Sequence, residues 1–377
     1  MSPHTQDSSE QLISEIFALA DIRINGTRPW DIQVHRPELY NHILCGGSLA
    51  LGESYMAGWW DCPALDQFFF HVLRNDLDLK IKKSRSAILC TIKATLSNCQ
   101  NKKKALEVAE KHYDVGNDLF ECMLDNHMTY SCAYWTNGTR DLTEAQEAKL
   151  ELICRKVKLA PGMRILDIGC GWGSFIRYAA RNHGIEAVGV TISKEQAKLA
   201  RERCADLPID IRLLDYRDLS EEFDAIVSVG MFEHVGYKNY RQFMQVVSSC
   251  LKPDALFLLH TIASNQSTHH GDPWFDKYIF PNGMLPSIEQ LGKASENLLV
   301  MEDWHNIGIH YDRTLTSWFA NFDQHWPGLQ DKYGDTFYRM WKYYLLSMAG
   351  AFRSRSIQVW QIVFSKRGLP GGYQRCD

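Results

Sequence analysis

Residues 164–175 read RILDIGCGWGSF, an apolar run that leads directly into a turn containing three glycines. The run RILDIG has the length and composition of a buried strand, and the apolar spacing from Ser174 to Asn182 predicts a helix. Glycine in such a turn permits tight backbone geometry and lets a ligand approach the main chain. Ligands of such sheets bind at the carboxyl ends of the strands. The stretch therefore predicts a strand, a ligand-binding loop and a helix in succession.

Further apolar runs alternate with helical patterns after this stretch. Helical patterns occupy residues 194–204 and 240–251, the region after Pro281 is helical and aromatic, and VWQIVFSK at 359–366 predicts a closing strand. Strands alternating with helices indicate a parallel sheet covered on both faces. We therefore predict an α/β fold with a Rossmann-like, doubly wound, mostly parallel sheet. Its other predicted strands are AVGVTI (187–192), DIRLLD (210–215), FDAIVSVG (223–230) and ALFLLHTI (255–262).

Glycine-rich loops of this kind bind two classes of ligand. A dinucleotide fingerprint needs G-x-G-x-x-G, and its third glycine position is Ser174 here. The spacing G-x-G-x-G after the acidic Asp167 instead resembles the S-adenosylmethionine (SAM) loop of Rossmann-like methyltransferases. Because the loop follows a buried strand and opens a series of strand and helix alternations, it predicts a class I SAM-dependent methyltransferase.

Residues at the ends of the second and third predicted strands extend this cofactor site. Thr191 stands where many such methyltransferases have an acidic residue for the ribose hydroxyls, so Thr191 and Gln196 are predicted to hydrogen-bond the sugar or the amino acid part of SAM. The third strand ends in Asp215-Tyr216-Arg217, which is placed to enclose the adenine. A cap of a helix or turn is an equally good interpretation of Asp215.

Polar side chains at the ends of the fourth and fifth strands form a candidate reactive group. Glu233 follows IVSVGMF, and His260 terminates ALFLL. Taken singly, each residue is more often structural, but their joint placement favours an acid/base or anion-binding pair. Cys132 lies before the sheet and Tyr311 after it, and both are candidates for the same site. The pair HH at 269–270 lies in a polar segment and is interpreted as an exposed loop, so no metal site is predicted.

Composition narrows the class of protein. The 377 residues carry 41 basic and 45 acidic side chains, a net charge of −4, whereas proteins dedicated to nucleic acid are usually basic. The eleven cysteines are scattered without a C-x-x-C pair, which favours a reduced, cytoplasmic compartment. The polar N-terminus does not resemble a signal peptide, and no apolar run approaches the ~20 residues that cross a bilayer. Membrane contact is therefore expected to be peripheral.

Three regions of the chain differ in character. Residues 1–79 combine helical spacing with an aromatic, glycine-punctuated stretch and predict a small, mostly helical domain. Residues 80–104 contain eight basic residues and no acidic one. This segment is either a solvated helix and linker or a patch that meets anionic phospholipid headgroups, where each basic residue contributes about 1 kcal/mol. Residues 105–377 form the predicted catalytic domain.

Longer motifs extend these observations over nearly the whole chain. Through them the chain resembles the bacterial cyclopropane-fatty-acyl-phospholipid synthases, which are related to the mycolic acid cyclopropane synthases. The mycolic acid relatives typically lack the N-terminal domain, so residues 1–79 favour the phospholipid branch. The motifs are GSLALGESYMAGWW (47–60), EKHYDVGNDLF (110–120), YSCAYW (130–135), LDIGCGWGSF (166–175), GVTISKEQ (189–196), DYRDL (215–219), IVSVGMFEHVG (226–236), LLHTI (258–262), YIFPNGMLPS (278–287) and AGAFRSR (349–355).

The resemblance implies roles for individual residues. The SAM-binding residues it implies are Tyr130, Ser131, Asp167, Gly169, Cys170, Gly171, Gly173, Thr191, Ile192, Gln196, Tyr216 and Arg217. A bicarbonate ion is implied to be held by Cys132, Glu233, His260, the backbone of Ile262, and Tyr311. Some family members have a cysteine before AGAF, but Met348 stands there in this chain. Because a thioether forms no thiolate, no covalent route is expected through that position.

The resemblance also implies the reaction and its setting. It implies methyl transfer from SAM to the cis double bond of unsaturated acyl chains of membrane phospholipids, with bicarbonate-assisted deprotonation and ring closure. It implies peripheral association of residues 1–79, as a lipid-binding domain, with the inner face of the cytoplasmic membrane, and a homodimer that the residues themselves do not establish. No nucleic acid partner is expected.

Alternative functions remain open at this point. They are a SAM-dependent C-methyltransferase that makes a methyl-branched lipid, a SAM methyltransferase for a small amine or phenol, a nicotinamide oxidoreductase, and a lipid-binding protein without activity. Ser174 disfavours the oxidoreductase, and the presence of Glu233, His260 and Cys132 disfavours the inactive protein.

Overall fold

A computed structural model describes residues 3–77 and 116–376 of the protein, with side chains from Ser8 onward. The predicted basic segment, residues 80–104, lies outside this range. The helices are α1 (Pro3–Ala18), α2 (Glu38–Met56), α3 (Leu65–Arg74), α4 (Asn117–Met123), α5 (Leu142–Lys156), α6 (Ser174–His183), α7 (Lys194–Arg203), α8 (Tyr240–Cys250), α9 (Pro273–Tyr278), α10 (Ile288–Ser295) and α11 (Tyr311–Ser354). The strands are β1 (Gln33–Val34), β2 (Trp60–Asp61), β3 (Arg164–Ile168), β4 (Glu186–Thr191), β5 (Ile209–Leu213), β6 (Phe223–Val229), β7 (Leu251–Ser264), β8 (Val300–Asn306) and β9 (Ile357–Ser365).

The chain divides into two compact units. The first contains the residues up to Met123 together with Gly271–Asn282 and Leu315–Ser356, and the second contains Leu124–His270, Gly283–Thr314 and the residues from Ile357 onward. This division differs from a boundary near residues 79–105, because α9 and most of α11 belong with the N-terminal helices. The predicted lipid-binding role of residues 1–79 stays a prediction.

The second unit is built on a seven-stranded sheet with the order β5-β4-β3-β6-β7-β9-β8. The pairs β5–β4, β4–β3, β3–β6 and β6–β7 are parallel, whereas β9 runs antiparallel to both β7 and β8. The predicted fold is confirmed. Each predicted strand and each predicted helix of this region is present, with ends displaced by a few residues.

Apolar clusters cover both faces of this sheet because strand side chains alternate between faces. On one face α5, α6 and α7 pack against residues such as Ile165, Val227, Leu258 and Val363. On the other face α8 and α10 pack against the alternate positions, such as Leu166, Ile226, Phe257 and Ile362. The two-sided burial explains why these strands read as continuous apolar runs.

Strand β8 was missed by the sequence analysis, which assigned the region after Pro281 to helices. Its sequence, VMEDWHN, contains few apolar residues and lies at the edge of the sheet, so most of its side chains are exposed or half-buried. Because less of an edge strand is covered, its side chains need not be apolar, and the alternation that identifies a strand is absent.

The first unit is helical and rich in aromatic residues. The glycine-punctuated stretch lies inside α2 as far as Met56, and the helix kinks at Gly47, where φ is +57°. Gly52 lets the Trp274 ring of α9 approach, since a Cβ there would lie 2.3 Å from the ring. Glu53 accepts hydrogen bonds from Lys277 (2.5 Å) and the Tyr278 hydroxyl (2.8 Å). The helix α2 is thereby fixed to α9 by shape and by charge.

Within the described residues, no helix is both long enough and apolar enough to cross a membrane.

Candidate active site

The glycine loop after β3 has the geometry predicted for it. Gly169, Gly171 and Gly173 all have positive φ, a conformation that side-chain-bearing residues rarely adopt. The Gly169 and Cys170 N–H groups donate to the Val190 carbonyl (2.9 and 3.0 Å), which holds the loop against the end of β4. A Cβ at Gly171 would meet no atom of the described residues within 4 Å. The loop therefore leaves room for a ligand beside its main chain.

Asp167, the acidic residue before the loop, is buried at the end of β3. Burial raises the pKa of its carboxyl to about 7, and the Lys149 ammonium opposes that rise. Its Oδ1 atom is buried and accepts no hydrogen bond within the described part of the chain. A buried carboxyl oxygen without a donor is suited to bind a ligand that carries N–H or O–H groups.

Lys149 and Gln146 of α5 support the predicted residue Ser131 and were missed by the sequence analysis. The Lys149 ammonium is almost fully buried and donates to Ser131 Oγ (2.8 Å), while Gln146 Nε2 donates to the Ser131 carbonyl (2.8 Å). Burial lowers the pKa of Lys149 to about 8. A signal was present in the sequence, because these two polar residues stand three apart on the apolar face of the α5 helix. The half-buried Tyr130 lies next to Ser131 in the same segment.

The predicted ribose and adenine residues lie at the ends of β4 and β5. Thr191 Oγ1 donates to Gln196 Oε1 (3.0 Å), so the two polar side chains lie together, and their predicted contact with SAM stays a prediction. Ile192, next to Thr191, is largely exposed.

The segment after β5 shows that Asp215 is a cap. Its carboxylate accepts from the Arg217 N–H (3.0 Å) and from the Arg217 guanidinium, including a 2.9 Å bond from Nε. Tyr216 packs its ring against Phe243, with ring centroids 5.3 Å apart. Of the two interpretations of Asp215, the structural one is present here, and it fixes Arg217 next to Tyr216.

Glu233 lies in a short 3₁₀ turn after β6, and the structure joins it to Ile262. The Ile262 N–H donates to Glu233 Oε1 (2.7 Å). In this arrangement the Ile262 amide orients the carboxylate, and its predicted donation to an anion stays a prediction. Burial raises the pKa of Glu233 to about 7. The second oxygen, Oε2, is buried and accepts no hydrogen bond from the described residues.

His260 lies on β7 opposite Val229, the last residue of β6. It is 1% exposed, and burial together with the Lys149 and Lys156 charges holds its pKa well below the usual value for histidine. The ring is therefore neutral near pH 7. Its Nδ1 atom lies 3.3 Å from Gln361 Nε2, so this partner is not one of the predicted residues.

Cys132 and Tyr311 are brought to the same region by Thr314. Thr314 Oγ1 accepts hydrogen bonds from the Ala133 N–H (3.2 Å) and from Trp135 Nε1 (3.0 Å), which ties the YSCAYW segment to the first turn of α11. Cys132 is fully buried, and its Sγ lies 3.9 Å from the Ile307 carbonyl, four residues before Tyr311. Burial raises the pKa of the Cys132 thiol, which is therefore a neutral, weak donor. Tyr311 is 6% exposed.

Two other groups have metal-binding residue types. His269 and His270 are exposed after β7, as predicted. Glu151, Cys154 and His183 place their ligand atoms within 4.8 Å of one another. Glu151 already accepts from His183 Nε2 (2.9 Å) and from the Tyr178 hydroxyl (3.2 Å), which accounts for the cluster as a hydrogen-bonded pair with a buried thiol beside it.

Comparisons with a family model and with known proteins point to the same family. The family model for mycolic acid cyclopropane synthetase matches residues 100–362. The cyclopropane-fatty-acyl-phospholipid synthase of Escherichia coli (strain K12) is 52% identical over 366 residues, which cover 97% of this chain and 95% of that protein. The tuberculostearic acid methyltransferase UfaA1 of Mycobacterium tuberculosis is 33% identical over 360 residues, 89% of this chain and 83% of that protein.

A solved structure agrees with these relatives. The mycolic acid cyclopropane synthase CmaA1 complexed with SAH and CTAB has a TM-score of 0.64 and 32% sequence identity, covering 69% of this chain and 98% of that chain. The family model spans well over half of the sequence, and the Escherichia coli relative aligns almost from end to end. The resemblance carried by the sequence motifs is confirmed, and the chain belongs to the mycolic acid cyclopropane synthetase family.

Proposed function

We propose that this protein is a SAM-dependent cyclopropane-fatty-acyl-phospholipid synthase. It transfers a methyl group to the cis double bond of an unsaturated acyl chain of a membrane phospholipid and closes a three-membered ring. The observation that carries the proposal is the 52% identity, over 97% of the chain, with the Escherichia coli protein of that name. Glu233 Oε2 supports it, since this oxygen is buried and accepts no hydrogen bond from the residues that the structure describes, and the reaction needs a site for a base.

The residues at the end of β3 and β4 fit SAM, which supplies an electrophilic methyl group when bound. The open space beside Gly171 admits the ligand to the main chain, and Asp167 Oδ1 is an acceptor in need of a donor. Lys149 occupies one lone pair of Ser131 Oγ, so the Ser131 hydroxyl hydrogen is directed elsewhere and serves the ligand. Thr191 and Gln196 present their remaining polar atoms to the sugar or the amino acid part.

The chemistry explains why the reactive group is buried. An alkene is a weak nucleophile, so it must be aligned with the methyl group at roughly 3–3.5 Å in a site that excludes water. Glu233, His260 and Cys132 are each at least nine-tenths buried. We infer that the acyl chain reaches a dry region of the second unit beside these side chains.

A bicarbonate ion fits this group as the base. One alkene carbon gains the methyl carbon, the other becomes electron-deficient, and the ring closes when a proton leaves the new methyl group; bicarbonate supplies the base for that proton. Glu233 Oε2 is available to accept the bicarbonate hydroxyl hydrogen, and neutral His260 and Tyr311 supply donors. Glu233 then positions the ion and does not itself touch the electron-deficient carbon, where a carboxylate would be alkylated.

Aromatic side chains next to the site are suited to stabilising positive charge on the acyl chain. The Tyr134 ring packs against His310, with centroids 4.8 Å apart, and Tyr311 follows directly. The faces of such rings attract a cation through their quadrupole, an effect worth about 0.5–2 kcal/mol. Tyr130, Tyr134 and Tyr311 are the proposed contributors.

The product of the reaction tests the proposal. The purified chain is incubated with SAM, bicarbonate and vesicles of a phospholipid with cis-unsaturated acyl chains, and the released fatty acids are examined by mass spectrometry and proton NMR. We expect a gain of one CH₂ with loss of the alkene protons, and no product from saturated phospholipid. A gain of CH₂ with a retained alkene, or a methyl-branched acid, would contradict ring closure.

The rate is expected to depend on pH through Glu233. The pKa of this carboxyl is raised to about 7, so below that pH its oxygen carries a proton and cannot accept the hydroxyl hydrogen of the bound ion. We therefore expect kcat, at saturating SAM and a constant bicarbonate concentration, to rise through about pH 7 and then level. The Glu233→Gln variant is the control, and its residual rate is expected to lack that rise. A flat profile in the unsubstituted protein would contradict the assignment.

We propose that residues 1–79 and the basic segment 80–104 bind the anionic membrane surface. A net charge of −4 overall, with eight basic residues collected in 80–104, supports this. Replacing Lys80, Lys82, Lys83 and Arg85 with serine is expected to reduce flotation with anionic liposomes. The matched control replaces three exposed lysines and one arginine elsewhere, namely Lys194, Lys198, Lys238 and Arg367. Equal flotation of the two variants would show that the basic segment does not contribute to membrane binding.

A further inference from the structure

A chain of buried and half-buried polar side chains crosses the sheet beside His260. His260 of β7 and His305 of β8 are both in register with Gln361 of β9, so the three side chains lie on one face of the sheet. Lys156, from the last turn of α5, is fully buried on that same face. Its ammonium donates to Gln361 Oε1 (2.8 Å) and lies 2.9 Å from His305 Nδ1. Gln361 Nε2 in turn lies 3.3 Å from His260 Nδ1.

The chemistry of Lys156 fixes the direction of these hydrogen bonds. The two ends of a glutamine amide look alike in outline, so their assignment must follow from their partners. An ammonium group has only donors, and it therefore requires the Gln361 amide oxygen on its side. The pKa of Lys156 is lowered by burial to about 8, so the group is still mostly protonated at neutral pH. The amide NH₂ then faces His260.

The direction of the amide determines where the proton of His260 lies. An NH₂ group facing Nδ1 needs an acceptor there, so Nδ1 carries no hydrogen and, in a neutral ring, Nε2 carries it. The low pKa of His260 already keeps the ring neutral. The structure thereby specifies one tautomer of His260 through Gln361, which contacts the ring, and through Lys156, which contacts Gln361.

We propose that Gln361, held by Lys156, is a positioning residue that sets the tautomer of His260, so that the neutral ring offers an Nε2–H donor to the anion bound beside Glu233. This inference rests on the proposed function for the identity of the anion, but not for the tautomer itself. Placing a lysine in a buried position carries a large desolvation cost, and an apolar side chain of similar volume would pack there more cheaply. The buried ammonium of Lys156 is retained, we infer, because it orients the Gln361 amide.

The test reads the tautomer directly. The full chain is labelled with ¹⁵N-histidine, and the His260 signals are assigned by comparison with His260→Asn and recorded in a long-range ¹H–¹⁵N NMR experiment. In the unsubstituted protein we expect a bare Nδ1 and a protonated Nε2. In Gln361→Glu the carboxylate only accepts, so we expect a proton on Nδ1. Burial and the Lys156 charge oppose a second proton on the ring, so Nε2 is expected to be bare.

A kinetic measurement accompanies the spectrum. In Gln361→Glu the bicarbonate concentration for half-maximal rate is expected to rise at least about tenfold, the size expected when one hydrogen bond to a charged group is lost. SAM affinity, measured by isothermal titration, is expected to stay unchanged. The control is Ser365→Ala, which removes a buried hydroxyl on the same face of β9 and its bond to Glu302 (2.6 Å). It is expected to change neither the His260 signals nor the bicarbonate dependence.

The outcomes separate this inference from the proposed function. A proton on Nδ1 in the unsubstituted protein, or unchanged His260 signals in Gln361→Glu, would overturn the inference whatever the enzyme makes. Absence of a cyclopropane product with the expected tautomer would overturn the proposed function and leave the tautomer assignment standing. If Gln361→Glu does not fold, Lys156→Met provides the second variant: it frees the amide, and a mixture of His260 tautomers is expected, whereas an unchanged single tautomer would contradict the role of Lys156.

Discussion

Replacing Glu233 with glutamine is expected to lower kcat by about 100- to 1,000-fold, the range found for loss of one catalytic proton acceptor or oriented partner, while SAM still binds. The geometry around this residue gives the reason. The Ile262 N–H donates to Oε1, so the amide oxygen of the new glutamine takes that position. Its NH₂ group then replaces Oε2, and a donor stands where the bound ion needs an acceptor. Shape is retained, and the hydrogen-bonding role is reversed.

The experiment compares turnover with SAM affinity in the same protein. Product formation from unsaturated phospholipid vesicles gives kcat, and isothermal titration gives the affinity for SAM. Tyr311→Phe is expected to behave similarly, since it removes a hydroxyl donor from the same group. Glu289→Gln is the matched control, because it makes the same substitution at an exposed residue whose partner is Lys293 (2.6 Å). If both site variants lose SAM affinity, Glu233 and Tyr311 do not hold the bicarbonate ion.

Replacing Gly350 with alanine is expected to lower the free energy of unfolding of the protein by about 1–3 kcal/mol, as overpacking of a close contact does. Gly350 lies in α11, where a Cβ would stand 2.6 Å from the Asp66 carbonyl oxygen and 2.8 Å from the Phe70 nitrogen of α3. Both atoms belong to the backbone, so no side chain can rotate to make room. The intrinsic preference of a helix for alanine over glycine, about 1 kcal/mol, works in the opposite direction and is outweighed.

A second glycine isolates the contact from helix propensity. Gly292 lies within α10 and is exposed, and a Cβ at this position would meet no atom of the described residues within 4 Å. Gly292→Ala is therefore expected to stabilise the protein by about 0.5–1 kcal/mol, since only helix propensity changes. Urea unfolding followed by circular dichroism and tryptophan fluorescence measures both variants. Equal shifts of the two midpoints in the same direction would show that α11 does not depend on close approach to α3.

Much of the fold could be predicted because the second unit buries both faces of its sheet. Strands β3 to β7 read as apolar runs, and the helices between them carry one apolar stripe each, so the local pattern and the final burial agree. The glycine loop was predictable for a related reason. Three positions with positive φ within five residues strongly favour glycine, which adopts that conformation without steric cost.

The supporting polar residues could not be predicted in the same way. Lys149, Lys156 and Gln361 are polar side chains at positions whose spacing indicates the core. The sequence alone does not show which residues such buried side chains bind. Their partners lie far away in the chain: Lys156 meets Gln361 across 205 residues, and Gln361 meets His260 across 101. The pairing of β7, β8 and β9 aligns His260, His305 and Gln361, and α5 places Lys156 against Gln361.

The sequence by itself determined the alternation of strands and helices and the glycine loop after β3, because backbone conformation and burial leave a regular pattern in the local sequence. The roles of Glu233 and His260 stay predictions. The tertiary structure alone decided that α9 and most of α11 join the N-terminal helices, and which atoms of Glu233 and His260 remain available to a ligand. Both features depend on contacts between segments that are distant in the chain. Such contacts leave no periodic pattern in the sequence, so they cannot be predicted from it.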